Sequence, residues 1–445
     1  MTVSIRGNVV WSYVNFVVGF AAPLILIPIY VRCLGSELYG QWLVIVGIGS
    51  YLGIVGLGSW QAIGNRIAEA SARRQSAEIS RIVSTSFWFY VVLAFTVIAS
   101  AAILTPALAA RLAPRASTRA TAACALFVAF TAAAYPLRLY ATLLRGIERV
   151  DREQAIAAVA NIARVAGLAA VMLAGQKLVA ISIVQGAVGL GGGIAATVIA
   201  LRLFPQGRPL LRRCSFSVVR DLAKPSLGFL GLSIGSSLVF GADNLVIGYA
   251  LGGSAVTRYA VPMRLALIAT SVFSVGTTAL WPTLTARFTR GDRATVSDGF
   301  VAVSRLSVIY ALCATSLFFF AGPAFLRLWV GPTVFPGRPT FAWQAALLFM
   351  SVLLIPADAV LMATTHHYGY AALAMVEAAL NLALSLWWVR HFGTAGVVAA
   401  TVTARLVTNG WYLPAAALRA IGMSGREFTR AIAHPGWGSI AHESA

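Results

Sequence analysis

Seven ionisable side chains fall inside long apolar runs: Arg138, Arg164, Asp243, Arg264, Asp358, Glu377 and Arg405. A charge held in hydrocarbon costs roughly 3 kcal/mol or more, so such a group normally faces a water-filled cavity, a ligand or a partner of opposite sign. In the N-terminal half these groups are Arg138 and Arg164, with no acid in the surrounding apolar runs to neutralise them. An uncompensated cation in a membrane cavity calls for an anionic ligand. Arginine suits phosphate in particular, because its planar fork donates two hydrogen bonds at once. Arg138 stands two helical turns before Arg145, so it either snorkels to the cytoplasmic surface or faces a cavity. Arg164 is too central in its run to snorkel easily.

The C-terminal half is mixed in sign. Asp243 and Arg264 flank the pair Gly252–Gly253 at similar distances, which predicts a salt bridge between them. Arg405 lies near the middle of the last apolar run, and Glu377 or Asp358 could neutralise it. Asp243, Asp358 and Glu377 are the candidates for exchanging a coupling ion, since burial raises a carboxylate's affinity for a proton. His366 and His367 read as part of a solvated turn. The four cysteines (Cys33, Cys124, Cys214, Cys313) have no metal-type spacing and read as packing. No phosphate-binding loop, HExxH helix or paired-cysteine site occurs, so no cofactor, metal or catalytic residue is expected. A membrane glycosyltransferase or ligase would need a larger outer loop bearing carboxylates. The first outer connection offers only Glu37, and the connection at 324–339 offers no acid.

The elements that must position these groups follow from composition. The 445 residues are 59% hydrophobic and 11% charged, with a mean hydropathy of +0.81. A soluble chain carries roughly 25% charged residues, so the expectation is an all-α integral membrane protein. No cleavable signal peptide is evident, because the first apolar segment is long enough to span. A span needs about 20 apolar residues, and twelve such segments can be drawn: about 9–30, 40–58, 84–106, 120–142, 154–174, 178–201, 225–248, 257–281, 303–323, 340–362, 369–389 and 394–418. They divide into an N-terminal six-helix bundle (1–202), a basic cytoplasmic linker (203–224), a C-terminal six-helix bundle (225–421) and a polar cytoplasmic tail (422–445). The net charge of +20 sits mostly in the connections and does not call for nucleic acid. With the N-terminus inside, most arginines fall in cytoplasmic segments, as the positive-inside rule requires, and both termini are cytoplasmic.

An internal repeat ties the two halves together. Leu34-Gly35-Ser36-Glu37 with Tyr39 opens an apolar run ending at Trp60 and Arg66. Leu251-Gly252-Gly253-Ser254 with Tyr259 opens another, ending at Trp281 and Arg287. Six spans in each half make the two copies parallel, which predicts two pseudo-symmetric bundles with a ligand cavity between them. The segments 61–83 and 282–302 read as amphipathic helices lying on anionic lipid headgroups. Pro23, Pro28, Pro136, Pro262 and Pro356 fall within spans, where proline removes an internal hydrogen bond. Pro23 and Pro28 are the hinge candidates. The glycines of the second and sixth spans read as close-packing positions.

With twelve spans, a six-plus-six repeat and the stretch LGSELYGQW…GSW…NRIAEA, residues 1–420 resemble the multidrug/oligosaccharidyl-lipid/polysaccharide (MOP) exporter superfamily. Within it the chain is most similar to the polysaccharide-transporter branch, the Wzx-like O-antigen and exopolysaccharide repeat-unit flippases. The resemblance implies a MATE-like fold, a V-shaped pair of bundles around a cationic cavity lined by Arg138, Arg164, Arg264 and Arg405. It implies a flippase that moves an undecaprenyl-pyrophosphate-linked oligosaccharide across the bacterial inner membrane, for lipopolysaccharide or exopolysaccharide synthesis. Expected partners are that lipid-linked substrate, membrane lipids, a coupling proton or sodium ion and polysaccharide polymerase or assembly proteins. Related peptidoglycan-precursor flippases carry extra C-terminal spans, which the polar stretch after Gly422 does not provide. A cation-coupled drug antiporter of the same fold, a membrane-bound glycan ligase and a non-transporting scaffold stay open as other readings. The antiporter would favour acidic cavity residues over these arginines.

Overall fold

Apolar runs of this length leave the backbone no partner but itself, so helices are the natural solution. The computed structural model describes residues 5–112, 118–290, 292–363 and 367–433; the side chains at 5–9, 12, 50–59, 104–112, 224–241, 278–286, 288–289, 362–363 and 367–371 lie outside the description. His366 is therefore outside the described residues, as are the side chains of His367 and Trp281. In chain order the helices are α1 (Ile5–Ala72), α2 (Ser76–Leu112), α3 (Thr118–Ala133), α4 (Tyr135–Gly146), α5 (Val150–Leu173) and α6 (Leu178–Leu203). After two short 3-10 turns come α7 (Phe216–Leu251), α8 (Gly253–Thr289) and α9 (Arg293–Trp329). A third such turn leads to α10 (Arg338–Ala363), α11 (His367–Val407), α12 (Asn409–Ile421) and α13 (Gly425–Ala433).

At about 1.5 Å per residue, α1 with its 68 residues is far longer than the ~30 Å hydrocarbon core. The chain breaks it at Gly35, whose φ of 75° and ψ of 167° end one helical leg and start the next. Gly393 does the same in α11, with φ 60° and ψ −141°. A side chain at either position would be strained, because positive φ crowds a Cβ. The α3–α4 pair bends by 42° just ahead of Pro136, which lies in the first turn of α4. Among the described residues eight helices are long and apolar enough to cross a membrane, or nine with that bent pair taken as one span. Separating the legs at Gly35 and Gly393 and adding the 36-residue α7 yields the twelve crossings expected from the sequence. The chain is thus a multi-pass helical membrane protein. α1 stays helical through Pro23 and Pro28.

One expectation is corrected. The segments 61–83 and 282–302 form no separate surface helices. The second leg of α1 runs on from Gly35 to Ala72 and α8 runs to Thr289, with α2 and α9 starting only a few residues later. The cause is packing: Ile63, Ile67 and Ala70 are buried in a core with Ile82, Tyr140 and Leu144, so this stretch continues its span.

The chain divides into two compact units. The first is Met1–Ser237 with Leu251–Thr257, the second Leu238–Ala250 with Arg258–Ala445. In the first unit α1 packs along α5, α3 along α6, and α4 against α1, α2 and α6. The basic segment after α6 is fastened to α2. Ser80 donates to the Gln206 carbonyl at 2.6 Å, and the backbone N–H of Leu210 and of Ser215 donate to Ser84 and Thr85 at 3.3 and 3.1 Å. The two repeated turns also meet in this unit. The Glu37 carboxylate accepts from the N–H of Gly253 (3.2 Å) and Ser254 (2.8 Å) and from the Ser254 hydroxyl (2.9 Å), capping the start of α8. Anions are favoured at a helix N-terminus by its unpaired N–H groups and dipole. Thr257 donates to the Ser36 carbonyl at 2.6 Å.

In the second unit α10 packs against α9, α11 and α12, around a core that includes Phe300, Val360 and Leu413. Phe318 and Phe341 stack at 4.4 Å. The stretch after Gly422, expected as a polar tail, contains the amphipathic α13. A Ser424/Glu427 capping box starts it, Phe428 stacks on Phe300 at 5.2 Å, and Arg305 bonds the Ala431 carbonyl.

The Glu37 contact depends on glycine. A Cβ on Gly40 would sit 1.8 Å from the Gly253 carbonyl oxygen, whereas one on Gly19 would meet nothing within 4 Å. Gly40→Ala is expected to destabilise the purified protein by about 3 kcal/mol or more, the upper range for overpacking. Gly19→Ala should raise stability by up to about 1 kcal/mol, the helix-propensity gain. Thermal unfolding of the two variants in detergent checks the ordering.

Candidate functional site

The first unit gathers its polar groups where α5 meets α1. Asn15 donates to the Gln154 side-chain oxygen at 2.9 Å, Asn161 donates to Asn15 at 2.8 Å, and Arg164 donates to Asn161 at 2.6 Å. Gln154, Asn161 and Arg164 recur at spacings of seven and three, so they share one face of α5. The amides hold the Arg164 side chain without neutralising it. Arg138 lies on α4 with its guanidinium 5.4 Å from the centre of the Trp60 ring, a cation–π geometry that orients the group and leaves its charge intact. Trp60 is itself held edge-on by Tyr135 at 6.0 Å. Arg138 lies at the surface of the unit, whereas Tyr135, Leu139 and Tyr140 around it are buried. It lies close enough to Arg164 for the two charges to repel. Among the described residues neither arginine makes an ion pair. Such a pair of cations can bind a compact dianion.

The second unit surrounds its buried acids with protein partners. Asp243, 2% exposed, accepts a hydrogen bond from the Tyr259 hydroxyl, with Asn381 and Thr401 close beside the carboxylate, whose Oδ1 receives no hydrogen bond among the described residues. Thr401 also donates to Asn381 at 3.1 Å, and Ser385 donates to it at 3.2 Å. The expected Asp243–Arg264 salt bridge is absent. Tyr259 occupies the aspartate, and Arg264, five residues on, projects about 140° around the helix from it. Arg264 is exposed and makes no ion pair among the described residues.

A second buried cluster lies one turn further along the same helices. Arg405 donates from Nε to Glu377 Oε1 at 3.0 Å and from Nη1 to Ser351 at 3.0 Å. Glu377 Oε2 also accepts from Asn409 at 2.6 Å and Thr408 at 3.2 Å. These bonds straddle a helix break: Thr408, with φ −112° and ψ −98°, separates α11 from α12. Asp358 is half-buried on α10, two turns from Ser351. The structure therefore brings Arg405 and Glu377 together, sets Arg164 on Asn161 and Arg138 over Trp60 in the first unit, and gives Arg264 no ion pair among the described residues.

Sequence reasoning from charge alone missed Asn15, Asn161, Tyr259, Asn381, Thr401 and Asn409. The available signal was polar spacing inside apolar runs. Glu377, Asn381 and Ser385 recur every four residues, as do Thr401 and Arg405, which places each set on one helix face.

Comparison with known proteins gives this arrangement its context. Residues 5–288 match the family described as "Polysaccharide biosynthesis protein". The uncharacterized membrane protein EpsK of Bacillus subtilis (strain 168) is 25% identical over 253 residues, 55% of this chain and 50% of EpsK. The match thus spans about half the length of that curated relative. The lipid II flippase MurJ in an inward closed conformation superposes with a TM-score of 0.71 at 11% identity, covering 95% of this chain and 90% of that one. An inward-facing multidrug resistance MATE family transporter of the MOP superfamily gives 0.68 at 14%, covering 95% and 96%. At these identities the likeness shows a common fold.

The different settings of the arginines predict different reactivity. A guanidine-directed dicarbonyl reagent applied to purified protein should modify exposed Arg138 first and half-buried Arg164 next. Arg405, whose side chain is 13% exposed and ion-paired, should react last. Peptide mass spectrometry against time checks the order; equal rates would contradict the geometry.

Proposed function

We propose a flippase: the chain belongs to the polysaccharide biosynthesis protein family, within the MOP superfamily, and its first unit is suited to hold a pyrophosphate. The substrate is a polyprenyl-pyrophosphate-linked oligosaccharide, moved by alternating access from the inner to the outer leaflet of the bacterial inner membrane. Both termini face the cytoplasm. The observation that carries this reading is the pair Arg138 and Arg164, two neighbouring guanidiniums with no carboxylate partner among the described residues. Each can make forked, charge-assisted hydrogen bonds to phosphate oxygens. The prenyl tail stays in lipid, while amides such as Asn15, Gln154 and Asn161 offer hydrogen bonds beside the pyrophosphate. Arg264 and Arg405 complete the expected cationic set, Arg264 by exposure and Arg405 only when released from Glu377.

Coupling falls to the second unit. Asp243, enclosed by Tyr259, Asn381 and Thr401, is the buried carboxylate best supplied with neutral oxygen ligands, which suits a proton or a sodium ion as the driving cation. Glu377 and Asp358 are the other acids on the same face of the problem. Pro23 and Pro28 each remove an internal hydrogen bond from the first leg of α1, which supports bending there during the cycle.

The anion site can be tested without transport. Binding of undecaprenyl pyrophosphate to the purified chain should weaken at least about tenfold in Arg138→Gln and in Arg164→Gln, the loss of one charge-assisted contact each. Arg327→Gln, at the end of α9, should leave binding unchanged. Equal affinity in all four proteins, together with tight binding of a cationic dye, would overturn the flippase in favour of a drug antiporter.

A further inference from the structure

The ion pair at the break of the last span has a second feature. Asn409 is 4% exposed, and its Oδ1 receives no hydrogen bond among the described residues. The orientation of this amide is fixed chemically: its Nδ2, 2.6 Å from Glu377 Oε2, must be the side facing the carboxylate, since two oxygens there would repel. A buried amide oxygen without a donor is thus left beside a buried carboxylate that also bonds the Thr408 hydroxyl. Carboxylate, amide and hydroxyl oxygens are the donor set of a hard monovalent cation. In the structure the positive charge at that place is supplied by the chain itself, as the Arg405 guanidinium 3.0 Å from Glu377.

We propose that Glu377, Thr408 and Asn409 form a second monovalent-cation site of the C-terminal unit, with Arg405 as its tethered internal competitor. A sodium ion arriving at Glu377 takes the carboxylate that Arg405 gives up. Ser351, at 3.0 Å from Arg405 Nη1, holds the guanidinium during the exchange. The site lies one helical turn from Asn381 and Thr401, so Glu377–Asn381 and Arg405–Thr401 form a continuous polar column leading to Asp243. The other charged groups on the elements packed around Glu377 are Arg338 and Asp358 on α10, Arg390 and His391 on α11, and Arg419 on α12; among the described residues Glu377 forms its ion pair with Arg405. The break at Thr408 allows Arg405 and Asn409 to move separately, because they belong to different helical segments. This inference rests on the cation-coupled reading of the second unit.

The test uses the purified full chain in detergent and reads thermal unfolding midpoint against sodium chloride, balanced with choline chloride, at several pH values. A ligand that binds the folded state raises the midpoint with its concentration. Removing an opposite charge within a few ångströms changes a carboxylate's cation affinity by about tenfold or more. Arg405→Gln should therefore lower the half-saturating sodium concentration at least tenfold. Glu377→Gln and the double variant should lose that gain, and Asn409→Ala should blunt it. Should Arg405→Gln fail to fold, Ser351→Ala, which only loosens the guanidinium, should shift the response in the same direction by a few fold. An unchanged half-saturating sodium concentration in Arg405→Gln and Ser351→Ala, with lower stability at every condition, makes the pair purely structural and overturns the inference. Insensitivity of both wild type and Asp243→Asn to sodium and pH would instead overturn the coupled reading itself.

Discussion

A charge in a chain that crosses hydrocarbon must be compensated, and the two units meet that constraint in opposite ways. In the first, Arg138 and Arg164 are oriented by an aromatic face and by an amide, groups that steer a cation without cancelling it. In the second, each buried charge is enclosed by protein partners: Asp243 by a phenol, an amide and a hydroxyl, Glu377 by an arginine and two neutral donors. The first arrangement leaves two cations without a carboxylate partner among the described residues. In the second the Glu377–Arg405 pair is neutral as a whole, whereas Asp243 Oδ1 and Asn409 Oδ1 receive no hydrogen bond among the described residues.

The secondary structure serves that difference. In the first unit α1 and α5 run side by side, so that Asn15 can bridge Gln154 and Asn161 and keep Arg164 extended. The α3–α4 bend ahead of Pro136 starts a new helix on which Tyr135 holds Trp60 under Arg138. In the second unit Gly393 reverses α11, bringing the stripe at 377, 381 and 385 against the stripe at 401 and 405. The helix then breaks once more at Thr408, where Glu377 can reach side chains on both sides of the interruption. Glycine, proline and a polar break do the geometric work, and the ionisable groups occupy the places they create.

Much of this was legible before any coordinates. Helical spans follow from apolar length, and Gly35 and Gly393 fall at or beside the boundaries that the spans require. The seven intramembrane charges were visible as interruptions of apolar runs, and Arg405 was short of a partner that Glu377 supplies. The failures have physical causes. Arg264 was paired with Asp243 by counting from the turn, which ignores which face of the helix each residue occupies; Tyr259 is on the right face and Arg264 is not. The stretch 61–72 looked amphipathic enough for a membrane surface, yet its apolar face is the core of the first unit. The helix at 425–433 was hidden by its shortness and polarity; only packing of Phe428 against Phe300 reveals why it forms. Neutral amides such as Asn381 and Asn409 carry no charge to attract attention, and their role appears only when the helices bring them to a carboxylate.

The central claim is that a pyrophosphate-linked glycan crosses the membrane on uncompensated arginines. The most direct measurement reconstitutes the protein in liposomes containing a fluorescent polyprenyl-pyrophosphate oligosaccharide, and follows label becoming accessible to a membrane-impermeant quencher under an imposed sodium or proton gradient. The account predicts protein-dependent exchange that is lost in the Arg138→Gln/Arg164→Gln variant, at unchanged folding and insertion. Exchange that survives removal of both arginines, or none with any lipid-linked sugar while a cationic dye is moved instead, would contradict it.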